Sequence, residues 1–116
     1  MIKIEKIKNL AIIRCENCSR IDNKEVISIA NILKQLKDKR IAIDLNFIDS
    51  ICNDFFILIK KFQGRFRLSL YNISFNIFSF LFLSKNYCYV DLFINKSNFQ
   101  NQKFPITHRH FVLVKK

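Results

Sequence analysis

A short apolar run at residues 41–45 lies between two segments with helical spacing, and it constrains the fold more than any other feature. Such a run is typical of a strand buried on both faces of a sheet, so we expect this strand to be central. Apolar residues recur at three- and four-residue spacing before the run, at Val26, Ile29, Ala30, Leu33 and Leu36, and after it, at Phe55, Leu58, Ile59 and Phe62. A strand between two helices implies parallel β-α-β units with right-handed crossovers.

Start and stop signals delimit these two helices. Asp22 is a suitable N-cap for the first helix, and Glu25, three residues later, is the partner expected in a capping box. We expect this helix to end near Lys39. The second helix is expected to begin near Asn53 and to stop at Gly64, because glycine readily takes the left-handed conformation that ends a helix.

Four further segments have the pattern of strands. Residues 2–7 and 10–13 predict two short strands joined in a hairpin at Lys8-Asn9, where asparagine tolerates turn geometry. Residues 66–70 alternate between apolar and polar side chains, which predicts a strand with one buried face. Residues 89–94 predict another strand.

A third helix is expected from its cap at Ser74 to about Leu83. It is rich in phenylalanine, with Phe75, Phe78, Phe80 and Phe82 nearly all round the helix. Part of this set is expected in the core, and the remainder is a candidate for a dimer contact or for an exposed patch that binds a partner or acyl chains. The whole stretch from Leu68 to Ser84 is uncharged, but serine and asparagine interrupt it. A buried strand followed by a core helix therefore explains it better than a membrane span, which needs about 20 predominantly apolar residues.

Together these elements predict an α/β domain: a mixed sheet of four to six strands, with an N-terminal β-hairpin and about three helices packed against it. We expect residues 1–95 to form this domain. Residues 96–116 are then a C-terminal extension, in which Phe111 and Leu113 suggest an added strand.

The formal net charge of +11 raises the question of a nucleic-acid or acidic-membrane partner. However, the lysines and arginines are scattered along the chain and mostly alternate with apolar residues, as on a solvated face. We therefore expect no specific nucleic-acid partner and only indirect contact with a membrane. Met1 is not followed by a basic start and an apolar run, so we expect a cytoplasmic location.

Two cysteines and two histidines are the candidates for a zinc site or a reactive thiol. Cys15 and Cys18 form a CxxC, and His108 and His110 could add two imidazoles to make a zinc site. The pairs lie at opposite ends of the chain, and the first helix is expected to start too late to activate a thiol. Because no group of residues points to nucleophilic or acid–base catalysis, we expect no cofactor, no metal and no enzymatic activity.

Three stretches resemble the STAS family, small domains of sulphate transporters and anti-sigma factor antagonists. Residues 19–22 are similar to the polar turn that precedes the first helix of the family. Residues 41–56 are similar, without gaps, to its central strand, its Asp-Leu-Ser turn and its Ile-Asp-Ser-Ser-Gly-Leu helix start. Residues 70–74 are similar to a strand end and turn, leading to residues 83–85 where the family has Leu-Thr-Gly.

The resemblance implies a regulatory module that binds other proteins. The partner-binding residues would be Arg20, Asp22, Cys52, Asn53, Asp54, Asn72 and Ser74. In family members controlled by phosphorylation, the second serine of the Asp-Ser-Ser-Gly turn accepts phosphate, and the gapless alignment places Asp54 there. A shifted alignment would use Asp49-Ser50 instead, but it requires a gap.

The chain therefore lacks the acceptor hydroxyl at the phosphoacceptor-equivalent position, and Asp54 carries a fixed charge in its place. Two readings stay open for this residue: a partial mimic of phosphate, or an ordinary first-turn residue that suits the helix dipole. By resemblance, the partner would be a kinase-like anti-sigma factor. The alternative is an accessory subunit of a membrane transport complex, bound to a transporter ATPase, and a homodimer is a further option.

Overall fold

A computed structural model describes residues 2–62, 64–84, 90–93 and 96–101 of the chain. The elements, in chain order, are β1 (Ile2–Ile7), β2 (Leu10–Cys15), β3 (Arg20–Ile21), α1 (Asn23–Gln35), β4 (Arg40–Asp44), β5 (Ser50–Ile51), α2 (Asn53–Lys61), β6 (Arg67–Tyr71), α3 (Phe75–Ser84), β7 (Asp91–Leu92) and α4 (Lys96–Asn101).

Five strands form a mixed sheet in the order β1-β2-β4-β6-β7. β1 is antiparallel to β2, while the other neighbours are parallel. This confirms the predicted α/β class, the N-terminal hairpin and the central position of β4. The residue with positive φ in the hairpin turn is Lys8, at 53°, rather than Asn9.

One face of the sheet carries the main core. Inward side chains of β2, β4 and β6, such as Ile13, Ile43 and Leu70, pack in a single cluster with α1, α2 and α3. In α3 the buried residues are Ile77 and Leu81 rather than the phenylalanines. Large apolar side chains are removed from water here, which is the main force that holds the helices to the sheet.

The second face of the sheet is also covered over β6. Phe99 of α4 stacks on Tyr71, with ring centroids 4.7 Å apart, and meets Phe93 edge to face. Ser69 and Tyr71 are therefore buried as fully as Leu68 and Leu70. The prediction of one buried face for this strand is wrong, because α4 returns onto the sheet from a segment that has no apolar pattern of its own.

The helix boundaries follow local signals, with one exception. α1 has the capping box of Asp22 and Glu25, and Gly64 takes the left-handed conformation beyond α2, at φ 91°. α3 begins where the Ser74 hydroxyl accepts the N–H of Ile77, at 3.2 Å. α1, however, ends at Gln35 and not near Lys39, since extended backbone at Leu36 starts the turn toward β4.

Some predictions concern residues at the limits of the described chain. β7 occupies Asp91–Leu92, inside the strand predicted for residues 89–94, whose ends are not described. The strand suggested by Phe111 and Leu113 lies outside the described residues, and the division of the chain at residue 95 stays a prediction. Within the described part of the chain, none of the helices has the length and apolarity required to cross a membrane.

Candidate functional site

Two short strands that the sequence did not predict bring the starts of α1 and α2 together. β3 and β5 pair in parallel, with Arg20 opposite Ser50 and Ile21 opposite Ile51. The pairing is extended by backbone bonds from the Asp49 N–H to the Ser19 carbonyl (2.7 Å) and from the Cys52 N–H to the Ile21 carbonyl (2.9 Å). Because each strand leads directly into a helix, the two helix starts lie side by side.

The start of α1 is closed by its own side chains. The Asp22 N–H donates to Oε1 of Glu25 at 3.0 Å, and the Asp22 side chain faces the N–H at the third helical position, which completes a capping box. Arg20 is exposed and lies 3.4 Å from the Asp22 carboxylate. Asp22 therefore stabilises the start of α1, and only the exposed part of its side chain can contact a partner.

The start of α2 has no comparable cap. Cys52 is the N-cap residue, but its side chain makes no capping bond, and its thiol donates instead to Oδ1 of Asn23 at 3.6 Å. Asn53 and Asp54 are exposed at the first two helical positions. The first turn is anchored from below by Phe55, which is fully buried, and the carboxylate of Asp54 suits the positive end of the helix dipole.

Two exposed isoleucines adjoin these starts and were missed from the sequence. Ile27 and Ile57 are 63% and 57% exposed. Each lies four residues after the first residue of its helix, and so on the same helical face as Asn23 or Asn53. The signal for them was weak: an apolar residue outside the buried stripe of its helix. We refer to Arg20, Asp22, Cys52, Asn53, Asp54, Ile27 and Ile57 together as the helix-start surface.

Asn72 and Ser74 are placed differently from the other predicted partner-binding residues. Asn72 has a φ of 59° and donates from Nδ2 to Oδ1 of Asp44 at 2.9 Å, while its own Oδ1 accepts the N–H of Lys96 at 3.1 Å. Ser74 caps α3. The polar atoms of both residues are thus engaged within the chain, at the end of β6, rather than at the paired helix starts.

A polar cluster at the ends of β2 and β4 also escaped the sequence analysis. Arg14 donates from Nε to Asp44 (3.1 Å) and from Nη1 to Glu5 (2.7 Å), and the hydrogen bond to Glu5 is the largest of the effects that raise its pKa. Asp44 also accepts the backbone N–H of Asn46. The nearby hydroxyl of Tyr71 is buried, and this burial raises its pKa to about 12.

The cluster lines an open cavity of about 500 Å³, which also includes Cys15, Cys18 and Phe47. Phe47 is 83% exposed and has a φ of 67°. Both oxygens of the Asp44 carboxylate already accept hydrogen bonds, so this carboxylate joins β2, β4 and the end of β6. No local pattern in the sequence indicated this cluster, because Arg14 and Asp44 are brought opposite one another only by the pairing of β2 with β4.

The two cysteines of the CxxC lack the environment of a reactive thiol. Cys15 is buried, and this burial raises its pKa to about 12. The Cys18 thiol lies 3.7 Å from the Cys15 carbonyl, and α1 begins only at Asn23, five residues further on. A helix dipole therefore does not favour the thiolate. Within the described ranges there is no group of three metal-ligating side chains, and His108 and His110 lie outside them.

Comparison with known proteins identifies the fold and nothing finer. No family model matches the chain, and no curated protein matches it in sequence. Among solved structures, the chain is similar to the NMR structure of the protein TM1081, with a TM-score of 0.67 and 12% sequence identity, over 87% of this chain and 86% of that one. At this identity, the similarity shows that the two chains share a fold.

Proposed function

We propose that this chain is a cytoplasmic, non-catalytic regulatory module that docks a protein partner through the helix-start surface, in the manner of an anti-sigma factor antagonist. One observation carries the proposal: the β3–β5 pairing holds the uncapped start of α2 beside α1, with Asp54 and Ile57 exposed. The resemblance of residues 41–56 to the STAS helix start supports the same surface.

The chemistry of this surface suits binding without a covalent switch. Taking an aliphatic side chain from full exposure to full burial contributes about 1.5–3 kcal/mol, and a partner can bury the more than half of Ile57 and Ile27 that is still exposed. Arg20 and Asp54 add charges of opposite sign, which set orientation and specificity more than affinity. Because Asp54 has no hydroxyl, a partner kinase and ATP should leave Asn53 and Asp54 unmodified. An Asp54→Ser variant restores an acceptor hydroxyl and should change the affinity for the partner or gain phosphate.

Affinity capture of the tagged protein from its own cells tests the proposal, provided that matched variants are compared. Ile57→Ser removes an exposed apolar side chain from the helix-start surface, while Ile4→Ser removes one that is 45% exposed on β1. We expect a partner that is captured by the wild type and by Ile4→Ser but lost with Ile57→Ser. Equal capture by Ile57→Ser, or loss with Ile4→Ser alone, would contradict the proposal.

A second candidate function has its own supporting observation. Phe75 and Leu83, at the two ends of α3, are each 81% exposed, which is unusual for large apolar residues. A membrane transport complex could cover this helix if the chain is an accessory subunit bound to a transporter ATPase. Capture of a transporter ATPase that is lost with Phe75→Ser and retained with Ile57→Ser would favour this function over the first.

A further inference from the structure

Most of the described cations, although scattered along the sequence, lie at one end of the fold. β2, β4 and β6 all begin at this end, since Leu10, Arg40 and Arg67 share a register. The hairpin turn and the connections that enter β4 and β6 lie there too, and they meet around a shallow cavity lined by Asn9 and residues 37–39. Among the residues that the structure describes, this basic end contains ten cations: Lys6, Lys8, Lys34, Lys37, Lys39, Arg40, Lys60, Lys61, Arg65 and Arg67.

The basic end has few carboxylates, and the opposite end has most of them. Of the acidic residues, Asp38 lies 3.6 Å from Lys6, and Asp91 pairs with Arg67. At the carboxyl ends of the strands, the described residues include six carboxylates and five cations, and Glu5 in β1 also reaches Arg14 there, at 2.7 Å. The carboxylates are Glu16, Asp22, Glu25, Asp44, Asp49 and Asp54, and the cations are Lys3, Arg14, Arg20, Lys24 and Lys96.

Helix dipoles account for only part of this separation. They favour Lys34, Lys60 and Lys61 in the last turns of α1 and α2. They do not account for Lys8, Lys37 and Lys39, which are exposed in connections, or for Arg40 and Arg67 on neighbouring strands, where like charges oppose one another. The repulsion among the cations of the basic end is reduced when this end faces a layer of negative charge.

Exposed apolar side chains at the basic end favour a membrane over a nucleic acid as the partner. α3 lies between the parallel strands β6 and β7, so its last turn is at the basic end, and Leu83 is 81% exposed there. Ile7, at the end of β1, is 48% exposed. Cations combined with exposed aliphatic side chains are typical of surfaces that lie on the headgroup and acyl boundary of an anionic membrane.

We infer that the basic end docks on the surface of an anionic phospholipid membrane, with Leu83 inserted among the headgroups. Each lysine near such a surface increases the binding constant about fivefold. In this orientation the helix-start surface is at the opposite end of the strands and faces away from the membrane. The inference therefore does not depend on the identity, or on the existence, of a protein partner.

Vesicle flotation tests the inference with two matched triple variants. Lys37→Glu, Lys39→Glu and Lys61→Glu change the basic end, and Lys3→Glu, Lys24→Glu and Lys96→Glu change the opposite end by the same net charge. On vesicles of phosphatidylcholine with phosphatidylserine, the first variant should bind at least about 100-fold more weakly than the wild type, and the second within about fivefold of it. Binding should also fall as salt is raised and be absent on pure phosphatidylcholine.

A second substitution tests the apolar contribution. Leu83→Ser should weaken vesicle binding even at high salt, while Phe75→Ser, which changes an equally exposed residue at the other end of α3, should not. Equal loss in both triple variants would overturn the inference, because it would show an effect of net charge alone. Binding of the wild type to double-stranded DNA or RNA, lost in the first triple variant, without binding to the anionic vesicles would overturn it in favour of a nucleic acid.

Discussion

The starts of α1 and α2 lie side by side, yet they are stabilised in different ways. At the third helical position α1 has Glu25, whose carboxylate accepts the N–H of Asp22, whereas α2 has Phe55, whose ring is fully buried. The start of α1 is thus completed by side chains within four residues of sequence. The start of α2 depends on core packing and on the backbone bond from Cys52 to Ile21.

This difference explains why one start is a structural feature and the other a candidate docking surface. The capping groups of α1 are occupied by each other. The first-turn polar groups of α2 are exposed and do not complete the helix, so a partner can engage them without undoing a cap.

Removing the anchor of α2 should have the largest effect. Phe55→Ala should lower the free energy of unfolding by about 3–5 kcal/mol, because it leaves a cavity beneath the first turn. Phe75→Ala, which truncates a ring that is 81% exposed, should change it by less than about 0.5 kcal/mol. Denaturant unfolding of both variants measures this, and similar losses would show that Phe55 is not the anchor.

Removing the cap of α1 should lower the free energy of unfolding by less than the loss of Phe55 does. It should still cost more than removing the first-turn carboxylate of α2. Asp22→Ala should cost about 1 kcal/mol, the usual loss for an N-cap. Asp54→Ala removes only a dipole interaction and should cost about 0.3–0.5 kcal/mol. Denaturant unfolding of both variants measures the two costs. A larger cost for Asp54→Ala than for Asp22→Ala would mean that the Asp54 carboxylate, rather than the Asp22 cap, is important for stability.

Adding a cap to α2 should stabilise the chain. Serine is a preferred N-cap and cysteine makes no capping bond here, so Cys52→Ser should raise the free energy of unfolding by about 0.5 kcal/mol. Asp22→Ser replaces one preferred cap residue by another and serves as the control, with almost no change expected. A decrease for Cys52→Ser would show that the thiol contact with Asn23 matters more than the missing cap.

The loss of stability at alkaline pH should not come from either helix start. Burial raises the pKa of Tyr71 from 10.0 to about 12, so the folded chain binds the phenolic proton more tightly than the unfolded chain does. This contribution to stability is complete below pH 10 and is lost as the pH rises from 10 through 12. Cys15 acts in the same direction between pH 9 and 12, since its pKa is also raised.

Tyr71→Phe tests this response. The Tyr71 hydroxyl is buried beside Arg14 and Asp44, but within the described residues no partner meets full hydrogen-bond geometry with it, so its removal should change stability little at pH 8. Between pH 10 and 12, the melting temperature of Tyr71→Phe should fall less steeply than that of the wild type. Parallel curves for the two proteins would show that the Tyr71 proton is not linked to folding.

Features that depend on neighbouring residues can be predicted from the sequence, and those that depend on distant residues cannot. The capping box, the central strand at residues 41–45 and the left-handed stop at Gly64 rest on neighbouring residues, and each was predicted. The β3–β5 pairing joins residues about 30 positions apart and involves strands of two residues, which are too short to show a pattern. The stacking of Phe99 on Tyr71 likewise depends on the path of the chain.

The candidate site was predicted only in part for the same reason. Cys52, Asn53 and Asp54 were predicted from resemblance to a family, and they do lie at a helix start. Ile57 was overlooked because a single apolar residue outside the buried stripe of a helix is a weak signal. The segregation of charge was overlooked because scattered lysines meet only when the register of Arg40 and Arg67 brings the strand ends together.

The claim that the helix-start surface binds a protein partner is tested most directly by photo-crosslinking in the native cells. A benzophenone amino acid would replace Ile57 in one variant and, as a control, Ile4 in another, since both side chains are similarly exposed. The account predicts a defined crosslinked product from position 57 and none from position 4. A product from position 4 only, with none from position 57, would contradict it.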